Sequence, residues 1–139
     1  MLFNEKNIEI DNNIPGDFII KADKLQLTEL FDNLTSNSVK YSPDGGKITI
    51  DVIKDEDIVT ISIHDEGTGM NEEQLGHLFE EFYKADKSRH DFDSSGLGMP
   101  IAKRIVEKHG GKIWAESPGL GKGTTIFFTM SFNEKMKNR

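Results

Sequence analysis

Residues 25–41 read LQLTELFDNLTSNSVKY, and this stretch decides the fold. Leu27, Leu30, Phe31, Leu34, Ser38 and Tyr41 recur at intervals of three and four, the stripe of a helix that lays one face on a core. Asn33, Asn37 and Lys40 recur at four and three and form a second, polar stripe. Asparagine is a mediocre helix former because its amide competes with the backbone. Two asparagines one turn apart beside a lysine therefore point to a face that meets something polar. The plain alternative is a solvated surface, where amides are common.

Working outward, Asp23 stands at the N-cap with Gln26 three residues on, the spacing of a capping box. The breaker cluster Ser42-Pro43-Asp44-Gly45-Gly46 ends the helix after Tyr41. Upstream, residues 7–10 and 17–21 read as short strands around a turn at 12–16. Downstream, Ile48, Ile50 and Val52 alternate with polar residues across Lys47–Lys54. A hairpin turn at Asp55-Glu56-Asp57 follows. Val59, Ile61 and Ile63 then line one face of Ile58–His64. Asp65 continues that face in phase. A carboxylate on the core side of a strand is costly unless paired, so Asp65 stands out before any motif is considered.

Gly67-Thr68-Gly69 is a tight turn, and Asn71 caps a short helix over Glu72–Phe79. Residues 84–95 carry charge and serine without apolar periodicity, which predicts a mobile loop. Gly96-Leu97-Gly98 opens a helix over Met99–Lys108, with Pro100 in its first turn and Gly110-Gly111 as its stop. Lys112–Glu116 and Thr124–Phe132 read as closing strands, joined through Gly119, Gly121 and Gly123. The tail at 133–139 is expected to fray.

The chain has 139 residues, enough for one domain with a proper core, and residues 1–139 are expected to form one. Hydrophobic content of 35% and charged content of 29% suit a soluble globular protein. No apolar run approaches the roughly 20 residues that span a bilayer, and the N-terminus lacks the pattern of a signal peptide. The absence of cysteine excludes disulfides, thiolate metal sites and a cysteine nucleophile, and fits a reducing compartment. A net charge of −7 argues against a nucleic-acid surface. His64, His77, His90 and His109 show no spacing for a shared metal.

The glycines cluster after Asp65, around Gly96-Leu97-Gly98, and around Gly121-Lys122-Gly123. Each alone reads as a turn. Gly96 and Gly98, however, immediately precede a helix N-terminus, where free amides and the helix dipole favour an anion. No Gly-Lys-Ser/Thr follows, so this is not a Walker sequence, and no first strand precedes a Rossmann fingerprint.

Taken in order, these motifs resemble the ATP-binding catalytic domain of sensor histidine kinases, in the superfamily shared with gyrase-type topoisomerases, Hsp90 and MutL. LFDNLTSNSVKYS looks like the asparagine box, HDEGTGM like the first glycine box and LFEEFYKAD like the phenylalanine box. SSGLGMPIAKRIVEKHGGKIW looks like the second glycine box with its helix, and GKGTTIFF like the closing strand. The resemblance covers about residues 17–131, and five ordered motifs make it specific. It departs from the family at Ser94-Ser95, where the second glycine box usually opens Gly-Thr. It departs also at Lys84, where many relatives carry an arginine directed at the γ-phosphate, and at Glu66, usually asparagine.

The resemblance implies a Bergerat-type two-layer α/β sandwich, a mixed sheet of about five strands with about three helices on one face. The unaided order of elements is compatible with it. It implies that Asp65 accepts a hydrogen bond from the adenine amine, where guanine would present a carbonyl. Gly67 and Gly69 let the backbone pass close to the base. Asn37 would supply an amide oxygen to Mg2+, which takes few protein ligands. Asn33 faces the same site, Lys40 reaches a phosphate, and Tyr41 and Thr124 pack near the nucleotide. Gly96, Leu97 and Gly98 would offer amides to the phosphates, and Lys84 would serve transfer. Residues 83–98 would be the lid over ATP.

Hydrolases of the superfamily place a glutamate one turn before the Mg2+ asparagine to activate water. Here that position is Asn33. Glu29 and Asp32 are out of phase by about 40° and 100°. Without a positioned base, water is a poor nucleophile. The expectation is therefore a protein-histidine kinase domain that places MgATP for a histidine outside the chain, on the dimerisation domain of a two-component sensor kinase. A response regulator is then an indirect partner. His64 and His90, each followed by aspartate, lack the long amphipathic helix of a phosphoacceptor. The rivals are an ATPase or nucleotide-driven switch of the same superfamily, and a protein-binding module that has lost its nucleotide. The chain is expected to be monomeric and cytoplasmic, without nucleic-acid or membrane contact, in a parent protein that can itself be membrane-anchored.

Overall fold

The computed structural model describes residues 7–15, 23–80 and 98–131. The expected strand at 17–21, Lys84, Gly96, Leu97, nearly all of the lid and the tail from 133 lie outside the described residues. Five strands form one sheet: β1 (Glu9–Asn12), β2 (Lys47–Asp55), β3 (Ile58–Asp65), β4 (Ile113–Glu116) and β5 (Thr124–Ser131). Their order is β1-β2-β3-β5-β4, and only the β1–β2 pair is parallel, so the sheet is mixed. Three helices accompany it: α1 (Lys24–Tyr41), α2 (Glu72–His77) and α3 (Gly98–Lys108).

The period-two pattern explains which face carries the helices. Ile48 and Ile50 of β2, Ile61 and Ile63 of β3, and Ile126 and Phe128 of β5 share one face and are buried. Leu30 and Leu34 of α1 and Ala102 and Val106 of α3 are fully buried against it. Phe31 meets Phe128 edge-on, with ring centroids 5.6 Å apart. Leu75, Leu78 and Phe79 bring α2 and its exit onto the same core. The opposite sheet face carries Thr49, Thr60, Ser62 and Thr125, with Trp114 stacked on Phe127 near the β4 edge.

Local expectations differ from the structure in three places. The first strand is Glu9–Asn12 rather than 7–10, because it takes its register from β2: Ile10 pairs with Ile48 and Asn12 with Ile50. The helix expected over Glu72–Phe79 closes at His77, with Leu78 as its C-cap. The capping box expected at Asp23 is only half made. The Asp23 carboxylate accepts from the Gln26 amide at 3.0 Å, but the Gln26 side-chain oxygen is buried without a partner. The Asp23 amide instead donates to Nε2 of His109 at 3.1 Å, while Nδ1 of His109 pairs with the Ile105 carbonyl at 2.8 Å. His109 thus ties the end of α3 to the start of α1. Its partners call for a neutral ring with the proton on Nδ1, not the cation that a helix C-terminus favours. A reciprocal capping box does form at Asn71 and Gln74.

Candidate nucleotide site

Among the described residues, the buried polar side chains are Ser38, Ser42, Asp65 and Thr124. They gather at one end of the sheet. Asp65 closes β3 on the helix-covered face and is paired in register with Thr124, the first residue of β5. Ser38 lies on the α1 turn that covers them, and Ser42 caps α1 by donating to the Ser38 carbonyl at 2.7 Å. A protein core does not collect its polar groups without a use for them, since each costs free energy when buried.

Asp65 is 2% exposed. Its Oδ1 accepts from the Gly67 amide at 2.8 Å. Burial pushes the carboxyl above its ordinary value of 3.8, against the Gly67 amide, the positive influence of His64, the Thr124 amide and the Ser38 hydroxyl, which all pull it down. The Ser38 hydroxyl lies beside the carboxyl without making a well-aligned hydrogen bond, and its oxygen is a buried polar atom with no partner. His64 itself points to the other face of β3 and pairs with the Thr125 hydroxyl at 2.8 Å.

The glycine turn after Asp65 is held by backbone. A Cβ at Gly67 would collide with the Tyr41 carbonyl oxygen, which also accepts from the Thr68 amide at 3.2 Å. Gly69, at φ +70°, sits against the Gly119 carbonyl, where a side chain would be both strained and crowded. The loop of residues 117–123 closes over this turn: the Gly121 amide donates to the Thr68 carbonyl at 2.6 Å and the Gly123 amide to the Gly67 carbonyl at 3.2 Å. Ser117 is the junction. Its Oγ accepts from the Met70 amide at 3.0 Å and lies 2.7 Å from the Gly123 carbonyl.

The polar stripe of α1 faces the start of α3. Asn33 is half-buried, its Nδ2 is a buried atom without a partner, and its Oδ1 lies 3.7 Å from where a Cβ of Gly98 would stand. The asparagine helix and the glycine-led helix thus meet through these two residues. Asn37 is half-buried one turn further on. Nζ of Lys40 lies over the Tyr41 ring, 5.2 Å from its centre. Glu29 and Asp32 are both exposed. No cluster of three His, Asp or Glu side chains among the described residues could hold a metal by itself.

Sequence reasoning assigns no chemistry to Ser38 or Ser117. A serine in phase with Leu30 and Leu34 in the core stripe of α1 is a readable signal for the first. Ser117 carries none, because its role depends on two loops meeting across 47 residues.

A sandwich with its buried carboxylate, orphaned amide and glycine turns at one end of the sheet is a Bergerat-type ATP-binding domain. The chain belongs to the family of histidine kinase-, DNA gyrase B- and HSP90-like ATPases, whose family model matches residues 22–134. It is 41% identical over 138 residues to the sensor histidine kinase WalK of Bacillus subtilis, covering 96% of this chain and 22% of that protein. The catalytic domain of histidine kinase ThkA superposes with a TM-score of 0.78 at 25% identity, covering 96% of this chain and 84% of that one. Full-length ShkA in complex with AMPPNP superposes with a TM-score of 0.79 at 26% identity, over 94% of this chain and 27% of that one. The chain therefore corresponds to the catalytic, ATP-binding domain of sensor histidine kinases and spans about a fifth of the WalK length. None of its described helices is long and apolar enough to cross a membrane.

Proposed function

We propose that this domain binds MgATP and donates the γ-phosphoryl group to a histidine on a separate dimerisation domain of a two-component sensor kinase. Asp65 carries the reading. A carboxyl that is 2% exposed, on the core face of a strand, is costly to the fold, and the adenine amine is a donor that repays it. Guanine presents an acceptor at the same edge and is refused. Gly67 and Gly69 are required by the Tyr41 and Gly119 carbonyls that crowd them, and the tight turn they allow would stand beside the base.

The phosphates would lie between the polar stripe of α1 and the N-terminus of α3. The Asn33 amide, with its unpaired Nδ2, and the Gly98 backbone suit an anion there. Gly96 and Leu97 would add amides, and Lys40 and Lys84 positive charge. Asn37 fits Mg2+ as a neutral oxygen donor whose remaining ligands are phosphate and water, and the ion when bound neutralises phosphate charge. Thr124 and Tyr41 flank the base. The domain's own work is placement and charge compensation. The imidazole nitrogen forms its bond to the γ-phosphorus as the bond to the β–γ bridging oxygen breaks, and ADP leaves. Asn33 stands where a hydrolase needs a base, and Glu29 and Asp32, exposed and out of phase with it on α1, do not replace that base, which favours the kinase over the ATPase. The parent protein, its response regulator, the cytoplasmic location and the single-domain extent 1–139 with a lid at 83–98 belong to the same proposal.

A calorimetric titration with MgATP and with MgGTP, followed for ADP release, tests it. Binding of ATP alone without turnover is expected. Steady ADP release moves the assignment to an ATPase, and equal binding of both nucleotides removes Asp65 from base selection.

A further inference from the structure

Three side chains along α1 and at its end, one exposed, one half-buried and one buried, show what a hydroxyl on a helix ordinarily does. The hydroxyl of Thr28 bonds back to the Lys24 carbonyl at 2.9 Å, that of Thr35 to the Phe31 carbonyl at 2.6 Å, and that of Ser42 to the Ser38 carbonyl at 2.7 Å. Each satisfies itself on the residue four positions earlier. Ser38, fully buried, does not. Its oxygen has no hydrogen-bond partner and lies beside the Asp65 carboxyl, the one buried acid among the described residues. A hydroxyl that gives up a bond available within its own helix, and pays the burial penalty instead, is poised for an acceptor that is charged only part of the time.

We propose that Ser38 is a positioning residue for base recognition: its hydroxyl donates to the Asp65 carboxylate and holds that charge aimed at the adenine amine. The inference rests on the adenine reading above and extends it to a residue that does not touch the nucleotide. Asp65 already holds the Gly67 amide on Oδ1. A donor from α1 fixes the plane of the carboxylate from a second side and couples the asparagine helix to the base. The groups facing Asp65 from α1 and β5 are Ser38 and Thr124, neither of them ionisable. The titratable group that acts on it is His64, its neighbour on β3. His64 is common to all variants below and cancels from their comparison.

The experiment titrates MgATP into wild type, Ser38→Ala and Asp65→Asn across pH, with melting curves of each free domain. Ser38→Ala is expected to weaken ATP binding by about tenfold. It should also move the acid loss of binding to higher pH, because an unsupported carboxylate takes up its proton sooner. At pH 7 the free domain should melt somewhat below wild type, because a buried carboxylate has lost a donor, and the difference should vanish as pH falls and the carboxyl takes up its proton. Wild-type affinity and an unmoved pH profile in Ser38→Ala, with binding lost in Asp65→Asn, would reduce Ser38 to a small packing residue. A loss of binding and of melting temperature that is the same at every pH would also overturn the proposal, since it would owe nothing to the carboxylate's charge. Full binding by Asp65→Asn would sink the adenine reading itself, and Ser38 with it.

Discussion

Asp65 is where function and stability pull in opposite directions, and the sign can be worked out. Its folded pKa lies above the ordinary 3.8, so the native state keeps this proton to higher pH than the unfolded chain does. Between those two values the unfolded chain binds fewer protons, and stability falls as pH rises through the window. At neutral pH the free domain bears the whole penalty. Asp65→Asn removes the charge and keeps an oxygen for the Gly67 amide. The variant is expected to melt above wild type at pH 7, with the advantage shrinking as pH falls toward 3.8, read from paired melting curves. The same change should cost ATP affinity about 1.5–3 kcal/mol, the worth of a hydrogen bond to a charged group. Gly67→Ala is the opposite kind of lesion. Its Cβ would meet the Tyr41 carbonyl, backbone that cannot yield easily, and the expected loss is about 1–3 kcal/mol in urea unfolding. Asp65 was legible because it interrupts a run of Val59, Ile61 and Ile63 in phase. The partnerless state of Ser38 was not, because it depends on a rotamer choice that periodicity does not encode.

At the scale of elements, α1, β2, β3 and α3 were legible within a residue or two, because each carries its own period and its own punctuation. What escaped were the ties between elements. Gln26 stands at the capping-box spacing, yet His109 reaches the Asp23 amide from 86 residues away. Local spacing offers a cap, and tertiary packing decides who supplies it. Ser117 is the same lesson in the loops. Ser117→Ala should leave the Met70 amide without its acceptor and free the 117–123 loop from the glycine turn. We expect about 1–3 kcal/mol of local destabilisation. Hydrogen exchange should quicken at Met70 and Gly121 while the amides of β3 keep their protection. Quickening spread over the whole sheet would mean that Ser117 supports the fold at large rather than the base turn.

The strand order of the whole molecule has no local signature. The two-residue turn at Glu56-Asp57 makes the β2–β3 hairpin plain, but β5 pairs with β3 from far along the chain, Asp65 with Thr124 and Ile58 with Ser131, and β1 runs parallel to β2. The likeness of five ordered motifs to a known family supplied a mixed sheet of about five strands under about three helices, and the order within it comes from the structure alone. The same global packing makes a last distinction testable. Phe128 is fully buried in β5, and its ring meets Phe31 of α1, so it joins sheet to helix four residues along the strand from Thr124. Phe128→Ala should cost about 3–5 kcal/mol, a large share of the 5–15 kcal/mol that holds a domain together. It should lower the melting temperature by about 10–20 °C. Its nucleotide groups are untouched, so MgATP at about 100 times its Kd should restore about 2.7 kcal/mol by mass action. Asp65→Asn, stable when free, should gain only about 0.3–1.3 kcal/mol from the same addition, because its weaker binding leaves the site less than fully occupied. Melting curves of the two variants with and without MgATP separate a damaged molecule from a damaged site. A Phe128→Ala domain that MgATP cannot rescue would show that the sheet–helix core and the base pocket rise and fall as one unit.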